Sequence, residues 1–200
     1  MLLNPFTRRS APHLLAVSMT GVKMGDRVAF VGCANGGRLA AVAAKVGLSG
    51  RAIAILPDAR SADLARKGAE QLGVLVEIEV ASPGALPLED GSADLAVVDD
   101  TGDLFGRMDA DQRGASVREL ARILRPGGRV ILFGAAPKDG LAKLLAPGAA
   151  GPSFAATSDA NQTLQTNGFG IVRTLAEREG LVFVEGIKPR QRAEGTGHRA

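Results

Sequence analysis

The sequence has no tryptophan and no tyrosine, and only seven phenylalanines, two histidines and one cysteine in 200 residues. Each scarcity excludes something. Stacking platforms for single-stranded nucleic acid and aromatic cages for quaternary ammonium groups both need several rings, so neither is expected. A tyrosine proton donor is impossible. The single Cys33 permits no intrachain disulfide and no thiolate metal cluster. No stretch approaches the ~18 apolar residues of a membrane span. Leu14-Leu15-Ala16-Val17 follows Arg8-Arg9 in the manner of an export signal, but the run is too short, breaks at Ser18 and precedes no small-residue cleavage site. A cytoplasmic location without a membrane partner is the expectation. The net charge is only +3 although Arg outnumbers Lys, 18 to 6. Part of that charge sits near the termini, at Arg8, Arg9, Arg190, Arg192 and Arg199, and no continuous basic face for nucleic acid is evident.

What is present is an alternation of apolar strand-like and helix-like segments. Hydrophobic content of 46% and charged content of 22% are ordinary for a globular chain. One domain over residues 1–200 is expected, with an N-terminal arm at 1–9 and a tail at 189–200. Pro12 in a first turn predicts a short helix over Ser10–Thr20. Strands are predicted at Arg27–Val31, Ala52–Leu56, Val74–Val80, Ala93–Val98 and Arg129–Gly134. Helices are predicted at Arg38–Val46, Ser61–Leu72, Asp109–Leu124 and Asp159–Thr166, with a further one at Gly140–Leu145. Repeated strand-then-helix units imply right-handed crossovers and a parallel sheet. Ile171–Glu177 and Leu181–Lys188, parted by Arg178-Glu179-Gly180, read instead as an antiparallel hairpin.

Gly32-x-Ala34-x-Gly36-Gly37 links the first strand to a helix, a setting in which backbone can approach a nucleotide. Three cofactors compete for such a turn. A P-loop would need Gly-Lys-Ser/Thr where Gly36-Gly37-Arg38 stands. A nicotinamide site wants an acid where Leu56 stands; Arg60 could meet a 2′-phosphate, but the tyrosine of a short-chain reductase is missing. The third, S-adenosylmethionine, is favoured by features outside the turn. These are Leu86-Pro87-Leu88-Glu89-Asp90-Gly91-Ser92-Ala93-Asp94 leading into the fourth strand, Arg125-Pro126-Gly127-Gly128-Arg129 leading into the fifth, Asn167-Gly168-Phe169 and the closing hairpin.

With these motifs in this order, the chain resembles class I S-adenosylmethionine-dependent methyltransferases of the type 11 (UbiE-like) group over roughly residues 14–188. The resemblance implies an α/β, Rossmann-like three-layer sandwich whose seven-stranded, mostly parallel sheet ends in an antiparallel hairpin. It implies S-adenosylmethionine over Gly32, Cys33, Ala34, Asn35 and Gly36, the ribose near Leu56 and Pro57, and the adenine near Ser82 and Pro83. The methyl group would lie near Asp99 and Asp100. Three family acids are replaced. Phe30 stands where an acid helps hold the cofactor ammonium, Leu56 where an acid accepts the ribose hydroxyls, and Ser82 where an acid meets the adenine amino group. Asp58 lies two residues beyond Leu56. The cofactor site is therefore degenerate in its acids, and two readings stay open: a methyltransferase acting on a small molecule, or a non-catalytic methyltransferase-like binding module or partner subunit, with a homodimer also conceivable.

Methyl transfer rests mainly on orientation and needs a base only when the nucleophile carries a proton that must leave. Asp99 and Asp100, with Asp103 close by, are the candidates for that base; the competing reading is that they end a strand and cap the loop beyond it. No metal is expected, since this segment alone supplies too few oxygen ligands. His13 could overhang the site or simply be exposed, and Cys33 is explained by its small buried side chain. Residues 135–157, rich in proline and glycine, are either a lid or a variable loop.

Overall fold

The computed structural model describes residues 13–137 and 153–190. Seven strands form one sheet in the order β3-β2-β1-β4-β5-β7-β6. They are β1 (Arg27–Val31), β2 (Arg51–Leu56), β3 (Glu77–Val80), β4 (Ala93–Asp99), β5 (Leu124–Ala135), β6 (Ile171–Arg178) and β7 (Leu181–Ile187). The first five are parallel, while β7 pairs antiparallel with both β5 and β6. Helices α1 (Leu14–Thr20), α2 (Gly36–Ala43), α3 (Ala59–Leu72), α4 (Ala110–Ile123) and α5 (Ser158–Thr166) flank the sheet, with a 3₁₀ turn at Phe154–Ala156.

Strand alternation builds two cores. Val28 and Phe30 of β1 join Ala54, Leu56, Val97 and Phe133 under α2 and α3, whereas Ala29 and Val31 face α4, α5 and the 3₁₀ turn with Val98, Leu120 and Leu164. The chain leaves β1 toward β2 on one side and β4 toward β5 on the other, so the strand order reverses between β1 and β4. Ligands of open α/β sheets bind at such a switch point, outside the carboxyl ends of the strands.

The predicted seven-stranded α/β architecture is the observed one, with shifts at element ends. The second helix begins at Gly36, not Arg38, because the Asn35 side chain caps it by accepting from the Arg38 N–H at 3.0 Å. The helix predicted from Ser61 begins at Ala59 because Asp58 caps it. The third strand is shorter, starting at Glu77. Pro126-Gly127-Gly128 does not turn ahead of the fifth strand but lies within it. There the ladder to β4 shifts register, and the Gly127 N–H donates to the Lys188 carbonyl at 3.0 Å. The hairpin closes through Glu179 and Gly180, both at positive φ, as a two-residue turn matched to strand twist requires. The predicted arm, the Gly140–Leu145 helix and the far end of the tail lie outside the described residues.

Candidate active site at the switch point

A cleft of about 440 Å³ opens over the carboxyl ends of β1, β2 and β4, within the roughly 300–1,000 Å³ typical of small-molecule sites. Gly32, Cys33 and Ala34 form its floor, Pro57, Asp58, Arg60, Ser61 and Leu64 one wall, and Asp99, Gly102, Leu104 and Arg107 the other. Gly32 is fixed by geometry. Its φ is +78°, and a Cβ there would lie 2.8 Å from both the Asp99 carbonyl oxygen and Leu104 Cδ2. A groove of about 530 Å³ at the opposite strand ends, between the end of α2 and the start of β3, is larger. Its ionised groups are Arg51 and Glu77, which pair with each other at 2.6 Å, so it offers no free reactive group.

Among the residues singled out from sequence, Gly32, Cys33, Ala34, Pro57 and Asp99 line the cleft, and several others do not. Leu56 is fully buried in the core beneath α2 and α3. Asn35 is a helix cap. Gly36 serves packing: a Cβ on it would fall 1.9 Å from the Leu64 carbonyl oxygen, and one on Gly68 would fall 2.2 Å from the Gly36 carbonyl. The two glycines let α2 and α3 cross in backbone contact. Ser82 is exposed and accepts from the Gly84 N–H at 3.2 Å, while Pro83 is buried; neither borders the cleft.

Both aspartates at the end of β4 are engaged with backbone. Asp99, 7% exposed, accepts from the Ala34 N–H at 3.2 Å through Oδ2, and from the Thr101 N–H at 3.0 Å and the Thr101 hydroxyl at 2.5 Å through Oδ1. Arg38 Nη1 lies 3.5 Å from Oδ1. Asp100 has no exposure at all; it accepts from the Phe105 N–H at 2.7 Å and the Ala155 N–H at 3.2 Å, tying the loop after β4 to the 3₁₀ turn. Desolvation, opposed by those two N–H groups, pushes its carboxyl up to about 6. Burial likewise pushes the Cys33 thiol up to about 12, so this cysteine is a small apolar filler and no nucleophile at neutral pH. His13, at φ 73°, sits against Gly37; partial burial and the Arg38 charge lower its pKa. Among the described residues no group of three His, Cys, Asp or Glu side chains could hold a metal ion.

The sequence offers Asp58 as a residue that could reach back toward the place of the acid missing at Leu56, and Arg60 only as a partner for a 2′-phosphate; it does not single out Arg107. Asp58 Oδ1 accepts from the Ser61 N–H at 2.8 Å and the Ser61 hydroxyl at 2.9 Å. The Ser61 N–H is the chief cause holding its carboxyl below the ordinary range. The sequence signal was available, since an Asp just before a helical run is a preferred N-cap.

The profile of the type 11 methyltransferase domain family matches residues 30–132, slightly over half of the chain. The chain belongs to that family. S-adenosylmethionine is the family's cofactor. A probable cobalt-precorrin-6B C(15)-methyltransferase (decarboxylating) of Saccharolobus solfataricus is 29% identical over 132 residues, 64% of this chain and 61% of that protein. An uncharacterized 37.1 kDa protein of a Streptomyces fradiae transposon is 38% identical over 108 residues, 54% of this chain and 30% of that protein. The chain thus spans less than two thirds of either curated relative. Among solved structures, a SAM-dependent methyltransferase from Aquifex aeolicus superposes with a TM-score of 0.68 at 18% identity, covering 88% of this chain and 89% of that one. The [4+2]-cyclase SpnF superposes at 0.66 with 16% identity, covering 89% and 80%. Likeness at such identity concerns the fold alone, and the second of these names shows that the fold does not fix the reaction. No helix among the described residues is long and apolar enough to cross a membrane.

The cleft fits the nucleoside half of that cofactor. It has the volume, a floor of Gly32, Cys33 and Ala34, and a carboxylate, Asp58, on the wall formed by the turn from β2 to α3. The hydrogen bonds fixing Asp58 to α3 fall on Oδ1, and a carboxylate has about four acceptor sites.

Proposed function

We propose that this chain is an S-adenosylmethionine-dependent methyltransferase for a small-molecule acceptor, with cofactor contacts moved away from the family's acidic positions. The observation that carries the reading is the cleft at the β1/β4 switch point, floored by Gly32–Ala34 and walled by Asp58. When bound there, the sulfonium supplies an electrophilic methyl group. Asp58 accepts the ribose hydroxyls in place of the missing acid at Leu56. Asp99 holds the glycine turn in shape through the Ala34 N–H.

The chain's own groups point to catalysis by orientation. Asp99 and Asp100 spend their oxygens on backbone N–H groups, and Asp100 is sealed from solvent. The acceptor is therefore a nucleophile that needs no strong base, and the cleft's contribution is alignment. A small acceptor agrees with the scarcity of aromatic rings and with a relative named for a cobalt-precorrin. The expected setting is cytoplasmic, without nucleic acid or membrane as partner.

One observation favours a second reading. Phe30, Leu56 and Ser82 give the cofactor no charge, which suits a non-catalytic partner subunit. Calorimetry with S-adenosylmethionine and S-adenosylhomocysteine separates the two. Micromolar affinity for either supports the enzyme, and no heat at millimolar ligand removes it.

A further inference from the structure

We infer that the cofactor's amino-acid end is read in this protein by its carboxylate, through Arg38, and not by its ammonium group; the inference rests on the cofactor reading above. Gly32 and Asp99 border both the cleft and a small void of about 10 Å³ behind it, whose other walls include Phe30, Arg38 and Phe133. Through these two shared residues the void adjoins the inner end of the cleft, beside residue 30, where the family resemblance would put the ammonium.

A count of donors and acceptors decides the polarity of this inner end. Phe30, 2% exposed, offers only carbon. The Asp99 carboxylate already accepts from the Ala34 N–H, the Thr101 N–H and the Thr101 hydroxyl, and lies against Arg38. Little acceptor capacity is left for an ammonium group.

Donors are in surplus. The Arg38 side chain is 14% exposed and directs Nη1 to Thr101 Oγ1 at 3.3 Å and to Asp99 at 3.5 Å. Its carbon Cζ lies over the Phe133 ring, 5.2 Å from the centroid. A guanidinium carries five N–H donors in a planar fork, and among the described residues Nε and Nη2 donate to nothing. A carboxylate is the partner that fork takes best. Its place in the first turn of α2 adds a favourable dipole for an anion.

The test is calorimetry on a ligand series: S-adenosylhomocysteine, its desamino analogue, its decarboxy analogue and 5′-methylthioadenosine, which lacks the amino-acid end. The wild-type chain should lose about 10- to 100-fold in affinity when the carboxylate is removed, the size of one or two charged hydrogen bonds, and less than about 3-fold when the amine is removed. Arg38→Gln should weaken S-adenosylhomocysteine by the same factor and leave 5′-methylthioadenosine within about 2-fold, with Arg38→Lys between them. Unchanged 5′-methylthioadenosine binding also shows that the variant's turn is intact. Greater loss on removing the amine overturns the inference. So does an equal loss of both ligands in Arg38→Gln, which would make Arg38 structural. Absence of binding by every ligand to the wild-type chain overturns the cofactor reading and the inference with it.

Discussion

Gly36→Ala separates a glycine that serves packing from one that serves a ligand. The added Cβ would stand 1.9 Å from the Leu64 carbonyl oxygen, about 1.5 Å short of ordinary contact, and 2.7 Å from the Leu64 carbonyl carbon. The obstacle is helix backbone, which cannot rotate away as a side-chain tip can. α3 must therefore move off α2, opening space beside Ala62 and Ala65, both buried in the same core. Overpacking of this kind costs about 1–3 kcal/mol, and the gain from replacing a helical glycine is at most about 1 kcal/mol, smaller still at the first helical position. A net loss of about 2 kcal/mol corresponds to a fall in Tm of roughly 4–8 °C for a chain of this size. Gly68→Ala meets the same contact from the other helix, 2.2 Å from the Gly36 carbonyl, and should cost about as much. Once the helices have parted, the second methyl finds room, so the double variant should cost at least about 1 kcal/mol less than the two singles together. Thermal unfolding of the four proteins is the measurement. A Gly36→Ala chain that melts with the wild type, or two losses that simply add, would refute the backbone crossing and return Gly36 to the ligand.

Asp100 and Asp58 make opposite contributions to pH dependence. The folded Asp100 pKa of about 6 lies above its ordinary 3.8, so the native state binds its proton more tightly than the unfolded chain. Its contribution is fully present below the ordinary value and is lost as pH rises through about 6, some 2–3 kcal/mol in all. Urea unfolding between pH 4 and 7 should show that slope in the wild type minus Asp100→Asn difference, and a flat difference would sink the claim. Asp58→Asn keeps a good helix cap but removes the charge. It should leave Tm within about 1 °C while weakening S-adenosylhomocysteine about 10-fold by calorimetry, and unchanged affinity would exclude Asp58 from the ribose contact.

The sheet was legible because its signals are local. The short apolar run of Arg27–Val31, glycine at the strand–helix turn and Glu179-Gly180 between two apolar runs each constrain a few neighbouring residues. The site was legible only in part. Its floor, Gly32–Ala34, and two wall residues, Pro57 and Asp99, follow from the glycine turn and the ends of two strands. The roles of Leu56 and Gly36 did not follow, because they depend on distant partners. Leu56 occupies its strand position but faces the α2–α3 core. Gly36 is required by Leu64 and Gly68, some 30 residues on, and no sequence period links the two helices at that crossing. Pro126-Gly127-Gly128 reads as a turn by residue type, yet its backbone is captured by Lys188 from the far end of the chain.

The same core face explains why charge should be absent from the strands and present at the helix starts. Phe30 and Leu56 are 2% and 0% exposed and pack side by side with Ala54, Val97 and Phe133. A carboxylate at either position would be ionised in an apolar layer whenever no ligand lay against it, and an unpaired buried charge is costly. Replacing each acid with an apolar side chain removes that cost and adds roughly 1.5–3 kcal/mol of burial per residue. The fold thereby becomes less dependent on its ligand. Asp58 on the β2–α3 turn is already stabilised by the Ser61 N–H, and Arg38 is already balanced by Asp99. Both charges are compensated within the protein; Asp58 lines the cleft, and Arg38 lies beside Gly32 and Asp99, which border it. Apolar residues at these strand positions stabilise the unliganded sheet, and on the proposed reading ligand recognition falls to groups whose charge the protein itself compensates.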